Sequence, residues 1–293
     1  MVSFFTNLIN GLSLGSIYAI IAIGYTMVYG IAKMLNFAHG DIIMVGAFIA
    51  YTVISTFKLP VWLGIVAAVI VCTCLGVAIE KIAYKPLRKA SSPLAVLITA
   101  IGVSYFLQNS ALLIFGSDPK MFSSVVPFGN LTIGPLQIPG TTIVSIVVSL
   151  VLVGALQLFI NKTKPGQAML ACAQDRDAAS LMGISVNGTI TLTFAIGSAM
   201  AAIAGVLLCS AYPTLSPTTG AMPGIKAFVA AVFGGIGSIP GAMIGGLLLG
   251  IIEILSRSYI SSQLSDAIVF SVLILVLLVR PTGIMGKVIQ EKV

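Results

Sequence analysis

The sequence predicts an all-α polytopic integral membrane protein, a helical bundle with about eight to ten transmembrane helices, and three observations carry that prediction. Of its 293 residues 58% are hydrophobic and only 8% are charged. A soluble domain carries roughly a quarter charged residues, so this ratio leaves too few to build a water-facing surface. The apolar residues fall in runs of about 18 or more with few charges, long enough to cross the hydrocarbon core as helices. The Lys and Arg behind the net charge of +7 sit in short segments between those runs. That placement sets membrane orientation rather than gripping nucleic acid. The chain reads as one transmembrane domain over 1–293.

Spans are predicted over 8–30, 42–57, 60–80, 93–115, 137–160, 189–212, 227–255 and 263–280. The first ten residues lack a basic n-region and a small-residue cleavage site, so the first run is expected to be retained as a span. Four cysteines, among them Cys72 and Cys74 at a spacing that suits neither a redox pair nor zinc, read as buried small hydrophobes. The seventh run contains Gly234-Gly235-Ile236-Gly237-Ser238-Ile239-Pro240-Gly241, where Pro lacks a donor and Gly adds backbone entropy. Two half-spans broken near 234–241 are therefore weighed against one long span.

Orientation arbitrates, because Lys and Arg in short loops favour the cytoplasm. With the N-terminus outside and the seventh segment broken, Lys33, Lys81, Lys85, Arg88, Lys89, Lys162, Lys164, Arg176, Arg280, Lys287 and Lys292 fall inside. Lys58, Lys120, Lys226 and Arg257 fall outside. A single seventh span would move the basic C-terminus outside, so the broken segment and a cytoplasmic C-terminus are expected. The segment Leu12 to Gly30 then runs inward and Thr189 to Tyr212 outward, each followed by a Gly- or Pro-containing loop and a shorter apolar stretch. This pattern fits an inverted repeat, and equally the self-similarity of any row of Gly-rich helices. The small-xxx-small spacing in Gly241-Ala242-Met243-Ile244-Gly245-Gly246 fits close helix packing.

Chemistry is excluded more readily than it is found. With one histidine, a histidine-based metal site or catalytic triad would have to be built almost without imidazole, and neither HExxH nor GxSxG occurs. The nearest approach to a phosphate-binding loop, Gly286-Lys287, has Pro281 in place of the first Gly and Val288 after the Lys. The chain is therefore expected to be no enzyme and to need no cofactor or metal. Its acids sit at span ends: Glu80 beside Lys81, Glu253 four residues before Arg257, and Asp266 at the start of the last span, where a helix dipole favours an anion. Glu253 is bracketed by isoleucines and stays a candidate for the translocation path. The other path or gate candidates are Asn36 and His39, in Asn36-Phe37-Ala38-His39-Gly40-Asp41, and Gly234, Gly235 and Gly237 in the broken segment. Irregular backbone at membrane depth is tolerated only where it lines a cavity or is buried in protein.

The polar stretch 161–188 lies inside by the charge rule. Asp175 suits an N-cap, Ala178, Leu181 and Met182 share one face, and Gly183 suits the position just past the helix end. A helix this short needs a docking partner, or else lies on the membrane surface as a connector. Asp175, Arg176 and Met182 belong to the candidate element with Gly166, Ala171, Ala178, Ala179, Gly183 and Ile184.

This loop resembles the ATPase-docking loop of ABC-importer permeases. The stretches Asn36–Asp41 followed by Gly46-Ala47, Phe233–Gly246, and Arg280-Pro281-Thr282-Gly283-Ile284-Met285-Gly286 resemble the branched-chain amino-acid permeases of that class, over essentially the whole chain. The resemblance implies a subunit of a high-affinity importer of leucine, isoleucine and valine in a bacterial inner membrane. Its partners would be a second related permease, two cytoplasmic ATPases and a periplasmic substrate-binding protein. It assigns docking to Gly166, Ala171, Ala178, Ala179, Gly183 and Ile184, while Gln167 and Leu170 depart from the arginines common there. Urea and short-chain amide permeases share these motifs, and a self-sufficient channel or carrier is the alternative from another class.

Overall fold

The protein is described here by a computed structural model, which covers residues 2–89, 93–126, 129–133 and 136–286. Helix follows helix: α1 (Val2–Ala32), α2 (His39–Tyr51), α3 (Val61–Ile79), α4 (Pro93–Phe115), α5 (Gly140–Lys162), α6 (Lys164–Gln174), α7 (Arg176–Leu181), α8 (Val186–Ala211), α9 (Ala221–Gly234), α10 (Ile239–Tyr259) and α11 (Ser265–Val279). Short strands form two antiparallel pairs, β1 (Lys120–Met121) with β4 (Thr214–Leu215) and β2 (Leu131–Ile133) with β3 (Leu136–Ile138). Among the described residues seven helices are long and apolar enough to cross a membrane, and α9 and α11 are shorter apolar helices. The expected polytopic helical bundle is what the chain forms.

The seventh run breaks where Gly and Pro predicted, with differences. Gly235 and Gly237 take positive φ (107° and 93°), and Ser238 caps the new helix by accepting from the Gly241 N–H at 3.2 Å. The two pieces are unequal, however: α9 begins at Ala221 with 14 residues, and α10 has 21, long enough to cross alone. Lys226, expected in an outer loop, lies buried on α9 instead. Cys72, Cys172 and Cys209 are buried as expected, but Cys74 is exposed. Lys287 and Lys292 fall outside the described residues.

The bundle is organised around α1, of which nearly every side chain from Leu14 to Val28 is buried. It runs antiparallel to α10, with Gly11 against Ile251 and Gly15 against Leu247, and its Gly30 meets Gly237 in the break just before α10. Small residues set this distance. A β-carbon on Gly250 would lie 2.2 Å from the Gly15 nitrogen, and one on Gly246 would lie 2.5 Å from Ala19. With lipid as apolar as the side chains, such close packing is what holds membrane helices together.

An inverted repeat is visible in the packing. Helices α1, α2 and α3 correspond to α8, α9 and α10: α1 packs on α10 as α8 packs on α3, α2 on α8 as α9 on α1, and α2 on α3 as α9 on α10. The direction is opposite in the two halves. Helix α8 starts beside the end of α1, where Arg176 donates to the Ile31 carbonyl at 2.9 Å, and Leu208 near its end shares a cavity with Tyr18. The crossing point is Gly24 on Gly197, and the sequence carries the correspondence in Gly15-Ser16-Ile17…Ala22-Ile23-Gly24 and Gly188-Thr189-Ile190…Ala195-Ile196-Gly197.

Replacing Gly250 with Leu should push α1 and α10 apart and destabilise the protein by about 1–3 kcal/mol or more. Gly154→Leu, at a site with nothing within 4 Å, should not. Thermal melting of the two purified variants in detergent is the measurement.

Candidate functional site

The predicted coupling element forms at the basic end. Helix α5 stops at Lys162, and the chain turns at Thr163, whose hydroxyl accepts from the Gly166 N–H at 3.1 Å and caps α6. The corner is so tight that a β-carbon on Gly166 would meet the Phe159 carbonyl at 2.3 Å, so this glycine is a requirement of the turn. Asp175 closes α6 and opens α7, accepting from the N–H groups of Asp177 and Ala178 at 2.9 and 3.0 Å. Gly183 ends α7 at φ +82°, with its N–H donating to Ser180 and that of Ile184 to Ala179, both at 3.0 Å. This is the Schellman arrangement that a glycine past the helix end permits. The sequence argument located the second helix; the first, α6, came from the tertiary corner at Gly166.

This element is clamped on one side and bare on the other. Met169, Cys172 and Ala179 are buried, and the Arg176 guanidinium donates to Ile31, one of the carbonyls that α1 leaves unpaired at its end. Ala171 and Ile184 pack partly buried against the core, while Ala178 is exposed. Leu181 is 89% and Met182 82% exposed. The predicted apolar face therefore projects outward from a polar end of the molecule.

A cavity of about 440 Å³ joins this element to the broken segment, lined among others by Lys33, Asn161, Leu170, Gln174, Gly237 and Ser238. Partial burial, and after it the charge of Arg176, hold the Lys33 ammonium below the usual lysine range. Gly234 and Gly235 lie at the far side of the break, against Gly241 and Gly286.

The other path candidates are placed differently. Asn36 is buried and accepts from the Tyr84 hydroxyl at 2.9 Å, and the space beside it holds no volume for a water. His39 opens α2, with its ring 4.6 Å from that of Tyr25 and pressed on Gly24. Its Nε2 is buried and meets no hydrogen-bond geometry among the described residues. Both residues pack the interior rather than facing an open passage in this conformation.

Glu253 is fully buried at the opposite end. It accepts from Tyr18 Oη at 2.9 Å, from Lys226 Nζ at 2.7 Å and from Arg257, while Lys226 also reaches Asp266 at 2.7 Å. Two acids and two bases so tie α1, α9, α10 and α11 beside a cavity of about 200 Å³. Sequence reasoning paired Glu253 with Arg257 correctly and missed Lys226, whose signal was its place as a lone charge in Gly224-Ile225-Lys226-Ala227-Phe228.

Glu80 is the repeat-related counterpart. It too is fully buried, paired with Arg88 rather than the adjacent Lys81, and it accepts from Thr191 Oγ1 at 2.8 Å. Each half thus carries, near the end of its third helix, a buried glutamate held by a hydroxyl from the first helix of the other half and by a following arginine. The two clusters lie at opposite ends of the bundle.

Comparison with known proteins assigns this architecture. The family model described as "Branched-chain amino acid transport system / permease component" matches residues 7–277. The chain belongs to that family. Among its relatives, the high-affinity branched-chain amino acid transport system permease protein LivH of Escherichia coli (strain K12) is 47% identical over 302 residues, covering 99% of this chain and 98% of the relative. BraD of Pseudomonas aeruginosa, described in the same words, is 46% identical, covering 98% and 97%. The solved PsaBC from Streptococcus pneumoniae in complex with Fab aligns over 96% of this chain and 91% of that one, at 14% identity and a TM-score of 0.46. This protein is a membrane permease and not an enzyme, and the permease carries its buried charges as helix ties.

Removing one member of a buried charge cluster leaves the others uncompensated, at a cost of about 3–5 kcal/mol. Lys226→Met should therefore lower the melting temperature of the purified permease sharply. The double variant Lys226→Met, Glu253→Met should lie well above the sum of the single losses.

Proposed function

We propose that the permease is the membrane-spanning subunit of an ATP-binding-cassette importer that carries leucine, isoleucine and valine across the bacterial inner membrane. It pairs with a second related permease, receives cargo from a periplasmic substrate-binding protein and is driven by two cytoplasmic ATPases. The observation that carries this reading is the bare apolar tip, Leu181 and Met182, on a helix clamped to the end of α1. An apolar surface at a charged end of a membrane protein calls for a protein partner.

In this reading 161–188 faces the cytoplasm and docks an ATPase through Ala178, Leu181, Met182 and the turn at Gly183. Gly166, Ala171, Asp175, Arg176, Ala179 and Ile184 hold that surface rigid, so that movement of the partner is passed on rather than absorbed. The shared cavity lets α6 act on the broken segment at Gly234, Gly235 and Gly237. The Glu253 cluster at the periplasmic end and the Glu80 cluster at the cytoplasmic end act as ties that hold one end shut while the other opens. Asn36 and His39 then move with the α1–α2 connection. The basic residues Lys33, Lys81, Lys85, Arg88, Lys162, Lys164, Arg176 and Arg280 at the α6–α7 end support its cytoplasmic orientation, and with it a cytoplasmic C-terminus.

Leu181→Asp with Met182→Asp should reduce ATP-dependent leucine uptake by the co-expressed complex in vesicles about tenfold or more, a loss of about 1.4 kcal/mol at the docking surface. The melting temperature of the permease should stay unchanged because both side chains are exposed. Labelled leucine and urea offered in parallel test the cargo. Uptake of leucine is expected, and uptake of urea alone overturns that assignment.

A further inference from the structure

The buried acids divide by the company they keep. Glu80 and Glu253 have cationic partners. Asp41 in the first turn of α2 is only 2% exposed and has no ion pair among the described residues. Its side-chain donor is neutral: Gln108 Nε2 of α4 at 2.8 Å, an amide that also donates to the Ser104 hydroxyl oxygen at 3.2 Å. A carboxylate without a counter-ion inside a membrane bundle is costly and marks a place that a solute or ion visits.

That carboxylate borders a cavity of about 320 Å³ between α2, α4 and α9, within the size range of small-molecule sites, roughly 300–1,000 Å³. Its walls are mostly apolar, with Leu97, Ile101 and Tyr105 from α4 and Ile225 from α9. The cavity lies at mid-depth along α1 and opens to the side of the bundle, where Ile101, Tyr105 and Ile225 are exposed. Helix α2 starts with His39 against Gly24, some eight residues or about 12 Å before the end of α1. Helix α9 starts at the same level, with Gly220 abutting the Gly40 backbone and Gly224 beside the Tyr25 hydroxyl. Two helices that begin inside the bundle at the junction of inverted repeats form the setting in which transporters hold their cargo.

We propose that this cavity is a binding site for the zwitterionic cargo, with Asp41 receiving the α-ammonium group and the apolar walls taking the branched side chain. The proposal rests on the reading that the cargo is a branched-chain amino acid. Gln108, held in turn by Ser104, orients the carboxylate, and Ala221, the first residue of α9, brings the positive end of that helix to the cavity wall, where the cargo carboxylate is best placed. The bland account of Asp41, a first-turn acid that offsets the dipole of α2, requires no cargo and separates cleanly by experiment.

The test uses the assembled importer with Cys74→Ser to remove the exposed native thiol, and Leu97→Cys as reporter, with Ile225→Cys as a second reporter of the same cavity. The rate of modification by a small methanethiosulfonate is read alongside uptake. Leucine at about ten times its Kd should slow modification about tenfold, whereas 4-methylpentanoate, which has the same side chain and no ammonium, and urea should not. Asp41→Asn should remove the protection and Asp41→Glu should restore part of it. Equal rates with and without leucine in a complex that takes up leucine overturn the site, as does equal protection by 4-methylpentanoate. If the unmodified importer takes up no leucine, the cargo assignment itself falls, and this site with it.

Discussion

The contact between α1 and α10 is the constraint on which the rest of the structure depends. A helix buried on nearly every face can sit at the centre of a membrane bundle only if its neighbours come close enough for packing to replace the driving force that water would supply. Gly11, Gly15, Gly246 and Gly250 provide that approach, backbone against backbone. Once α1 is fixed against α10, the broken segment before α10 lies at the end of α1. The α6–α7 element, which bonds that same end through Arg176, follows it there.

The inverted repeat explains why the charged residues fall where they do. Glu80 with Thr191 and Arg88, and Glu253 with Tyr18 and Arg257, are one arrangement used twice in opposite senses. Each glutamate is buried, so each requires its partners, and each ties helices from both halves at one end of the bundle. The molecule is thus held at both ends by equivalent clusters. The middle, where α2 and α9 begin side by side, carries no such tie. Asp41 is the buried acid there, and among the described residues it has no ion pair.

The described geometry separates rigid parts from parts that need company. Around Gly166, Asp175 and Gly183 the backbone is capped and cornered by local hydrogen bonds. Leu181 and Met182 gain nothing from the fold they belong to. Long apolar helices such as α4 and α5, with much of their surface bare, present what a membrane protein turns to lipid or to a neighbouring subunit.

By itself the sequence determined the class of molecule, the approximate spans, the break at 234–241 and the capped helix from Asp175 to Gly183. All of these follow from local properties: hydrophobic run length, the missing donor of Pro, the tolerance of Gly for positive φ and the capping oxygen of Asp. It also carried the repeat, faintly, in two Gly-Ser/Thr-Ile…Ala-Ile-Gly segments. Only the tertiary structure decided that Lys226 is buried and not in a loop, that Glu80 pairs with Arg88 and not Lys81, and that α10 spans alone while α9 begins deep in the bundle. It also decided that Asn36 and His39 are packed away, whereas Asp41 borders a cavity. Those outcomes depend on which residues distant in the chain come to lie side by side, and a buried charge is defined by its partner, which hydropathy along the chain does not specify.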